Sequence, residues 1–365
     1  MMQLAPLVNA QQATMVLDTE TFEKAKVLNV IDVGTTTVPG MDTVVPTQTL
    51  KVEILGGKDE GKIITFKNDY VQLSEGDRFY ARHQSNELDG SSYWSVSDPY
   101  RLDTLFWLVL VFVAILFIFG GLQGVRGLAS LIGSLFLIFE ILIPGIYAGY
   151  NAALISIGVA GLIIILGSYI THGFNRTTTS AVIGMISTVI VTGIGAYYVV
   201  DLAQLSGYSS DESTFLNLNT RGSIDMIGLL FGGIMIGLLG VLYDVAIGQA
   251  VSVEELFRAG KDMTRSQVYK RGIRIGREHI GALVNTLAIA YVGASLPLIL
   301  LIQSSTTGVL FILNNEIFAT EIVRILIGSI GLVLAVPITT LISSYVLYGK
   351  VSSTSSGGHS HSHHH

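Results

Sequence analysis

Long apolar stretches dominate the chain from residue 104 onward, and they limit its possible folds more than any other feature. We distinguish seven, each close to the length of about 20 residues that a helix needs to cross about 30 Å of hydrocarbon. Since a backbone in lipid has to satisfy its own hydrogen bonds, each stretch predicts a membrane-spanning helix. The seven predicted spans are 104–122, 127–146, 152–170, 179–200, 224–247, 280–302 and 322–348.

The charged residues lie mainly outside these spans. Only 13% of the 365 residues are charged, about half the share found in soluble domains. Residues 1–103 hold 15 of the 27 acidic and 9 of the 21 basic side chains. We therefore expect a tether over 1–23, an extracytoplasmic domain over 24–102, a transmembrane domain over 103–350 and a tail over 351–365. The tail carries five of the eight histidines behind serine and glycine, and we interpret it as an affinity tag or, alternatively, a native metal-capturing tract.

The polar N-terminal region shows the alternation of strands. Period-two patterning, interrupted by glycine-rich turns such as 56–61, indicates half-buried strands. Five short strands within about 75 residues predict a small all-β domain of the OB or SH3 type. The predicted strands are 25–33, 48–55, 62–67, 77–82 and 93–96.

Positive charge in the loops orients the predicted spans. Arg126, Arg176, Lys350 and the seven basic residues of 258–277 fall on one side, which the positive-inside rule makes cytoplasmic. We therefore expect a multi-pass protein of the bacterial cytoplasmic (inner) membrane, with residues 24–102 outside and the C-terminus inside. Export of that domain implies a preceding hydrophobic helix, or a first span acting as a reverse anchor. Segment 253–277 is predicted to be an amphipathic helix on the inner leaflet.

Several function classes are excluded by what the sequence lacks. Without cysteine there is no disulfide framework, cysteine zinc site, iron–sulfur cluster or cysteine nucleophile. No basic cluster is interleaved with aromatic residues, so no nucleic acid is expected as a partner. No H-E-x-x-H, G-x-S-x-G, Walker A or Rossmann pattern stands in a suitable context. We therefore expect no cofactor, and the sequence does not indicate an enzyme.

Two ionisable residues fall within the outer halves of predicted spans. Glu140 lies late in the second span, and Arg324 lies at the start of the seventh. Because charges at membrane depth are costly, such residues are functional candidates by default. Their similar depth predicts an ion pair between helices, which would either lock packing or face a substrate.

Asp244 is the principal candidate for a coupling group. It follows about 18 apolar residues of the fifth span, with Gln249 five residues on and Gly240 and Gly248 on either side. If the helix continues unbroken, Asp244 lies in the inner half of the bilayer. Desolvation there would bring a carboxylate toward the working range for proton or cation handling. The alternative is an interfacial aspartate hydrogen-bonded to nearby backbone.

Other polar residues are predicted to converge near Asp244 in one inner vestibule. His279 and Thr286 are seven residues apart on one helix face, with Asn285 adjacent, and His172 and Arg176 flank the end of the third span. Two histidines with carboxylates could also bind a divalent metal, so the sequence leaves a metal site open.

Three segments resemble the YibE/F-like family of bacterial membrane proteins. They are 240–256 (GVLYDVAIGQAVSVEEL), 276–298 (GREHIGALVNTLAIAYVGASLPL) and Thr171-His172-Gly173 with Arg176-Thr177-Thr178. The resemblance covers most of residues 25–345. It implies a permease-like protein with an outside β domain, and it carries no established activity. Family members typically begin with a hydrophobic helix, and they often have paired aspartates where this chain has Tyr243-Asp244.

A second resemblance is local. The glycine-bearing helix around Asp244, the amphipathic segment and the following span look like the proton-coupled core of SecF and RND exporters. That resemblance implies that Asp244 carries a proton. It concerns the order of elements, and it is an analogy at the level of the fold.

Three functions remain open at this point. The leading hypothesis is a transporter or permease for an unknown small molecule or ion, coupled through Asp244 and embedded in the lipid bilayer. The first alternative is a membrane scaffold or receptor that acts through its β domain. The second is a membrane-embedded enzyme that uses His279 and Asp244 on a lipid-linked substrate. Glycines at small-xxx-small spacing would permit a homo- or hetero-oligomer with a related membrane subunit.

Overall fold

The computed structural model of the protein describes residues 19–37, 44–86, 91–260, 262–304 and 308–349. The predicted tail over 351–365 lies outside these residues, as does most of the predicted tether. Residues 19–23, expected to end that tether, form the start of the first strand. The chain divides into two compact units, Met1–Ile115 and Leu116–His365.

The first unit contains an antiparallel half-barrel sheet. Its strands are β1 (Thr19–Thr37), β2 (Val44–Ile54), β3 (Ile63–Asn68), β4 (Arg78–Ser85) and β5 (Ser92–Pro99), in the order β3-β2-β1-β4-β5. The five predicted strands are all present, and β1 is far longer than predicted. Its pairing with β2 shifts between Val27 and Asn29 and again between Val30 and Asp32. Irregularities of this kind bend a long strand and raise its twist.

Alternating side chains form the core of this sheet. Val27, Leu50 and Phe79 are fully buried between polar neighbours that face outward, as expected for strands with one covered face. Gln48 fixes the turn before β4, because its amide donates to the Leu73 carbonyl (2.9 Å) and accepts from the Leu73 N–H (2.8 Å).

The rest of the described chain is mostly helical. The elements are α1 (Leu102–Leu137), a π-helical turn (Ile138–Leu142), α2 (Ile143–Tyr147), α3 (Ala152–His172), α4 (Arg176–Leu202), α5 (Asp211–Asn219), α6 (Met226–Ala259), α7 (Arg265–Ala294), α8 (Leu296–Ser304), α9 (Val309–Asn314) and α10 (Glu316–Val346). Polar side chains satisfy free N–H groups at the start of several helices, which is the function of an N-cap. Asn151, Asn175 and Asp225 cap α3, α4 and α6 in this way.

Among the described residues, five helices are long and apolar enough to cross a membrane. They are Leu102–Tyr147, Ala152–His172, Arg176–Leu202, Met226–Ala259 and Glu316–Val346. The predicted count of seven is not confirmed. The first two predicted spans fall within Leu102–Tyr147, and the predicted span 280–302 is divided between α7 and α8 at Ser295.

The 46-residue element Leu102–Tyr147 is sharply bent at Gly121. Gly121 has φ 50° and ψ −141°, in a region that favours glycine. A Cβ placed on Gly124 would lie 2.6 Å from the carbonyl oxygen of Leu116. In a straight helix, eight residues would separate those positions by about 12 Å. The chain therefore turns back on itself between Leu116 and Gly124.

The core of the helical unit lies between α4, α6 and α10. Small and hydroxyl side chains allow α4 and α10 to approach closely, as is common between membrane helices. The hydroxyls of Ser180 and Ser343 are 2.9 Å apart, and Gly184 lies against Thr339. Met185, Met235 and Leu332 fill the space further along the interface.

The predicted amphipathic segment 253–277 does not form a single surface helix. Residues 253–259 are the end of α6, and residues 265–277 are the start of α7. Val268, Gly272 and Gly276 are buried, while Lys270, Arg271, Arg274 and Arg277 are exposed. The apolar side chains therefore pack against neighbouring helices, and the basic residues face away.

Candidate functional site

His172 and Asp244 lie close together where α3 ends beside the middle of α6. Among the described residues no ion pair or hydrogen bond joins the two side chains directly, and Tyr243, the residue before Asp244, lies between the two helices. Tyr243 joins the two helices, because its hydroxyl donates to the Gly167 carbonyl (3.0 Å). Its ring centroid lies 6.0 Å from that of His172. Three neighbouring polar groups from two helices therefore form the centre of the candidate site.

Asp244 lies well inside the end of the bundle at which α4 begins. α6 runs unbroken from Met226 to Ala259, as the hypothesis for Asp244 requires. Ten residues beyond Asp244, the Glu254 carboxylate accepts a hydrogen bond from Thr177 near the start of α4 (2.5 Å). Ten residues correspond to about 15 Å along a helix. Asp244 therefore lies about 15 Å along α6 from the level at which α4 starts.

The surroundings of Asp244 are open. Asp244 is exposed on α6, and a Cβ placed on Gly240 or Gly248 would meet no atom within 4 Å. His172 is half-buried. Both side chains are therefore at least partly exposed on the surface of the helical unit.

Gln249 has a structural position. It is 5% exposed, and its amide donates to the Gly272 carbonyl (2.8 Å) and to the Thr340 hydroxyl (2.7 Å). A Cβ on Gly276 would lie 3.0 Å from the Gln249 oxygen. Gln249 therefore connects α6, α7 and α10 in the core and does not line the open space beside Asp244.

The predicted residues on α7 are exposed. His279, Asn285 and Thr286 all have exposed side chains, and the Thr286 hydroxyl donates to the Ala282 carbonyl of its own helix. Within the described chain, no hydrogen bond or ion pair joins His279 to His172 or Asp244. Their membership of one vestibule stays a prediction.

Arg176 remains close to His172 through the connection between α3 and α4. It is the exposed first residue of α4, directly after Asn175. The Asn175 side-chain amide donates to the His172 carbonyl (3.0 Å), and its oxygen accepts from the Thr178 N–H. The turn thereby holds Arg176 near the end of α3.

The predicted pair of Glu140 and Arg324 is replaced by a different pair. Arg324 contacts Glu321 one helical turn earlier, with 2.6 Å between Nη1 and the carboxylate oxygen. Glu321 is three positions from Arg324 on the same helix, so helix geometry brings the two side chains together. Glu140 is exposed in the π-helical turn. The charges of Arg324 and Glu321 both act on Tyr291 of α7.

Sequence reasoning missed the role of Glu316. Its carboxylate accepts hydrogen bonds from the N–H groups of Ser206 and Gly207 (2.8 and 2.9 Å) and from the Ser206 hydroxyl (2.8 Å). These bonds tie the start of α10 to the chain after α4. Since the partners are about 110 residues apart, no local pattern could have indicated the contact.

The comparison with protein families agrees with this architecture. The family described as YibE/F-like protein matches residues 108–349. The chain belongs to the YibE/F-like family. Neither the comparison with curated proteins nor that with solved structures found a match. The matched region contains the helices that carry His172, Asp244 and Gln249, and it ends before the tail.

A metal centre receives no support from side-chain grouping. Among the residues that the structure describes, no three histidine, aspartate or glutamate side chains are grouped to hold a metal ion. His172 and Asp244 supply two such groups.

Proposed function

We propose that this YibE/F-like protein is an inner-membrane transporter in which Asp244 couples the movement of a proton or another ion to that of a small molecule. The observation that carries the proposal is the packing of the Tyr243 ring 6.0 Å from the His172 ring, which brings the next residue of α6, Asp244, beside the end of α3. A carboxylate and an imidazole in range of each other can share or pass a proton near neutral pH. The Tyr243 hydroxyl hydrogen-bonds α3 nearby.

The cost of a charge in the membrane supports this role. An ionised side chain near the bilayer centre costs about 3 kcal/mol or more. A protein keeps such a group where it faces water or protein and where its charge is used. Protein atoms leave room beside Gly240 and Gly248, and in the proposal this room near Asp244 is solvated.

A seven-span topology is part of the proposal. Gly121 divides Leu102–Tyr147 into two helices, and the end of α7 with α8 would supply another span. The basic side chains of 258–277 and Arg176 would then be cytoplasmic. In this orientation His172 and Asp244 face the cytoplasmic side, and the β sheet is extracytoplasmic.

Gradient-driven flux in proteoliposomes tests the proposal. In the first measurement, an imposed membrane potential drives proton entry into vesicles that contain a pH-sensitive dye. The second measurement is the uptake of radioactive sodium. We expect the wild-type protein to accelerate one of these fluxes over protein-free vesicles. Asp244→Asn is nearly isosteric and removes the charge, so it should reduce the flux to the protein-free level.

Glu255→Gln is the matched control. Glu255 is an exposed carboxylate near the end of the same helix, with a long 3.8 Å contact to Arg258. This variant should retain the wild-type flux. Equal flux in wild-type and Asp244→Asn vesicles would contradict the coupling role, and wild-type flux no greater than that of protein-free vesicles would contradict ion transport.

A further inference from the structure

A pocket of about 530 Å³ opens at the opposite end of the helical unit from His172 and Asp244. It lies where α3 and α6 begin and α4 ends, so the length of α3, roughly 30 Å, separates it from the candidate site. Its volume is in the range of about 300–1,000 Å³ that small-molecule pockets occupy. Its place and size set it apart from the shallow surroundings of Asp244.

The walls of this pocket are largely apolar. Val200, Leu205 and Phe231 are buried core residues that form part of the lining. Tyr197 contributes an aromatic ring that is 65% exposed. A ligand here would bury an apolar body against aliphatic and aromatic side chains, and a positive charge could also approach the Tyr197 ring face.

The charged groups of the pocket are all acidic. Asp201 and Asp225 both line it, and none of its twelve described lining residues is lysine, arginine or histidine. Asp201 follows Val200 at the end of α4, where the helix dipole adds partial negative charge. An anion would be repelled by this arrangement, whereas a cation would be attracted.

The helix N-termini at this pocket do not offset its acidity. Asn151 accepts from the Leu154 N–H (3.0 Å), and Asp225 accepts from the Gly228 N–H (3.0 Å). Each cap engages one of the free N–H groups that would otherwise favour an anion, and the Asp225 cap itself carries negative charge. Both side chains remain part of the pocket lining.

We infer that this pocket binds an organic monocation with an apolar body, of the chemical class of protonated amines and quaternary ammonium or phosphonium ions. Asp201 and Asp225 supply the countercharge, and Tyr197 with the apolar wall supplies the contact area. The inference does not depend on transport. Binding to this pocket requires no gradient and no participation of Asp244.

Equilibrium binding of tetraphenylphosphonium to the full chain in lipid nanodiscs tests the inference, with empty nanodiscs subtracted. We expect saturable binding, and weaker binding of the neutral triphenylphosphine oxide. Asp201→Asn and Asp225→Asn should each raise the dissociation constant about fivefold, the effect of one charge pair about 4 Å apart in water. Asparagine also caps helices well, so Asp225→Asn should leave the start of α6 intact.

Asp211→Asn is the matched control, because Asp211 lies at the start of α5 and does not line the pocket. It should bind the cation like the wild type.

Absence of saturable binding, or an unchanged dissociation constant in the double variant of Asp201 and Asp225, would overturn the inference. Since Asp201 is exposed at a helix end, its variant remains informative even if Asp225→Asn folds poorly. Loss of flux in Asp244→Asn with unchanged cation binding would separate this site from the coupling role.

Discussion

His172, the last residue of α3, and Asp244, in the middle of α6, lie near each other where the two helices pack, with the ring of Tyr243 6.0 Å from that of His172. The two residues are 72 positions apart in the chain. They meet because α3 and α6 pack together, with the Tyr243 hydroxyl bonded to the Gly167 carbonyl. Neither side chain is fully buried in the helical unit.

The proximity of these residues predicts that they act as one unit. His172→Ala should reduce the gradient-driven flux, and the double variant with Asp244→Asn should lose no more than Asp244→Asn alone. Residues that share one step show such non-additivity. Flux measurements on the four proteins test this, and independent, multiplicative losses would contradict it.

The same variants should have little effect on stability. Pairs of exposed charges contribute about 0–1 kcal/mol, and Asp244 is exposed. We therefore expect Asp244→Asn to unfold in detergent within a few degrees of the wild-type melting temperature. A large fall in that temperature would assign Asp244 a structural role.

Gln249→Leu should destabilise the protein strongly. The variant leaves the buried Gly272 carbonyl and the Thr340 hydroxyl without the Gln249 donor, at a cost of about 2–4 kcal/mol. Thermal unfolding in detergent measures the loss. Ser252→Ala is the control on the same helix, since the one bond of the Ser252 hydroxyl within the described part of the chain is to the Gly248 carbonyl one turn away. Equal melting temperatures for the two variants would refute the structural role of Gln249.

Two glycines of α4 predict opposite responses to alanine. A Cβ on Gly184 would lie 2.5 Å from Thr339 Oγ1 and 3.1 Å from the Thr339 Cα, so Gly184→Ala should cost about 1–3 kcal/mol through overpacking. A Cβ on Gly195 would meet nothing within 4 Å. Gly195→Ala should therefore be neutral or stabilising by up to about 1 kcal/mol. Gly184→Ala should melt below the wild-type temperature, and Gly195→Ala should melt at or above it.

The sheet shows which parts of a fold local patterning can predict. Alternation revealed all five strands, because one face of each strand is covered and the other is exposed. It did not reveal the full length of β1, since residues 19–24 pair with β4 through contacts about 60 residues away. The sequence therefore predicts a tether where the first residues of β1, 19–23, lie.

The candidate site was predictable only in part. Asp244 and His172 stood out because ionisable groups beside long apolar runs are rare. Gln249, a neutral polar residue five positions after Asp244, was predicted to line the same site, and it connects three helices in the core. Arg324 found Glu321 on its own helix, and the Glu316 contact to Ser206 and Gly207 had no local signal.

The sequence by itself determined that this chain has a β domain and a set of apolar membrane helices, because periodicity and hydropathy are local properties. It also determined membership of the YibE/F-like family. Only the tertiary structure decided which polar side chains meet, since that depends on helix neighbours and on the direction of each helix face. Asp244 and Gln249 are five residues apart, yet α6 turns one toward open space and buries the other between α7 and α10.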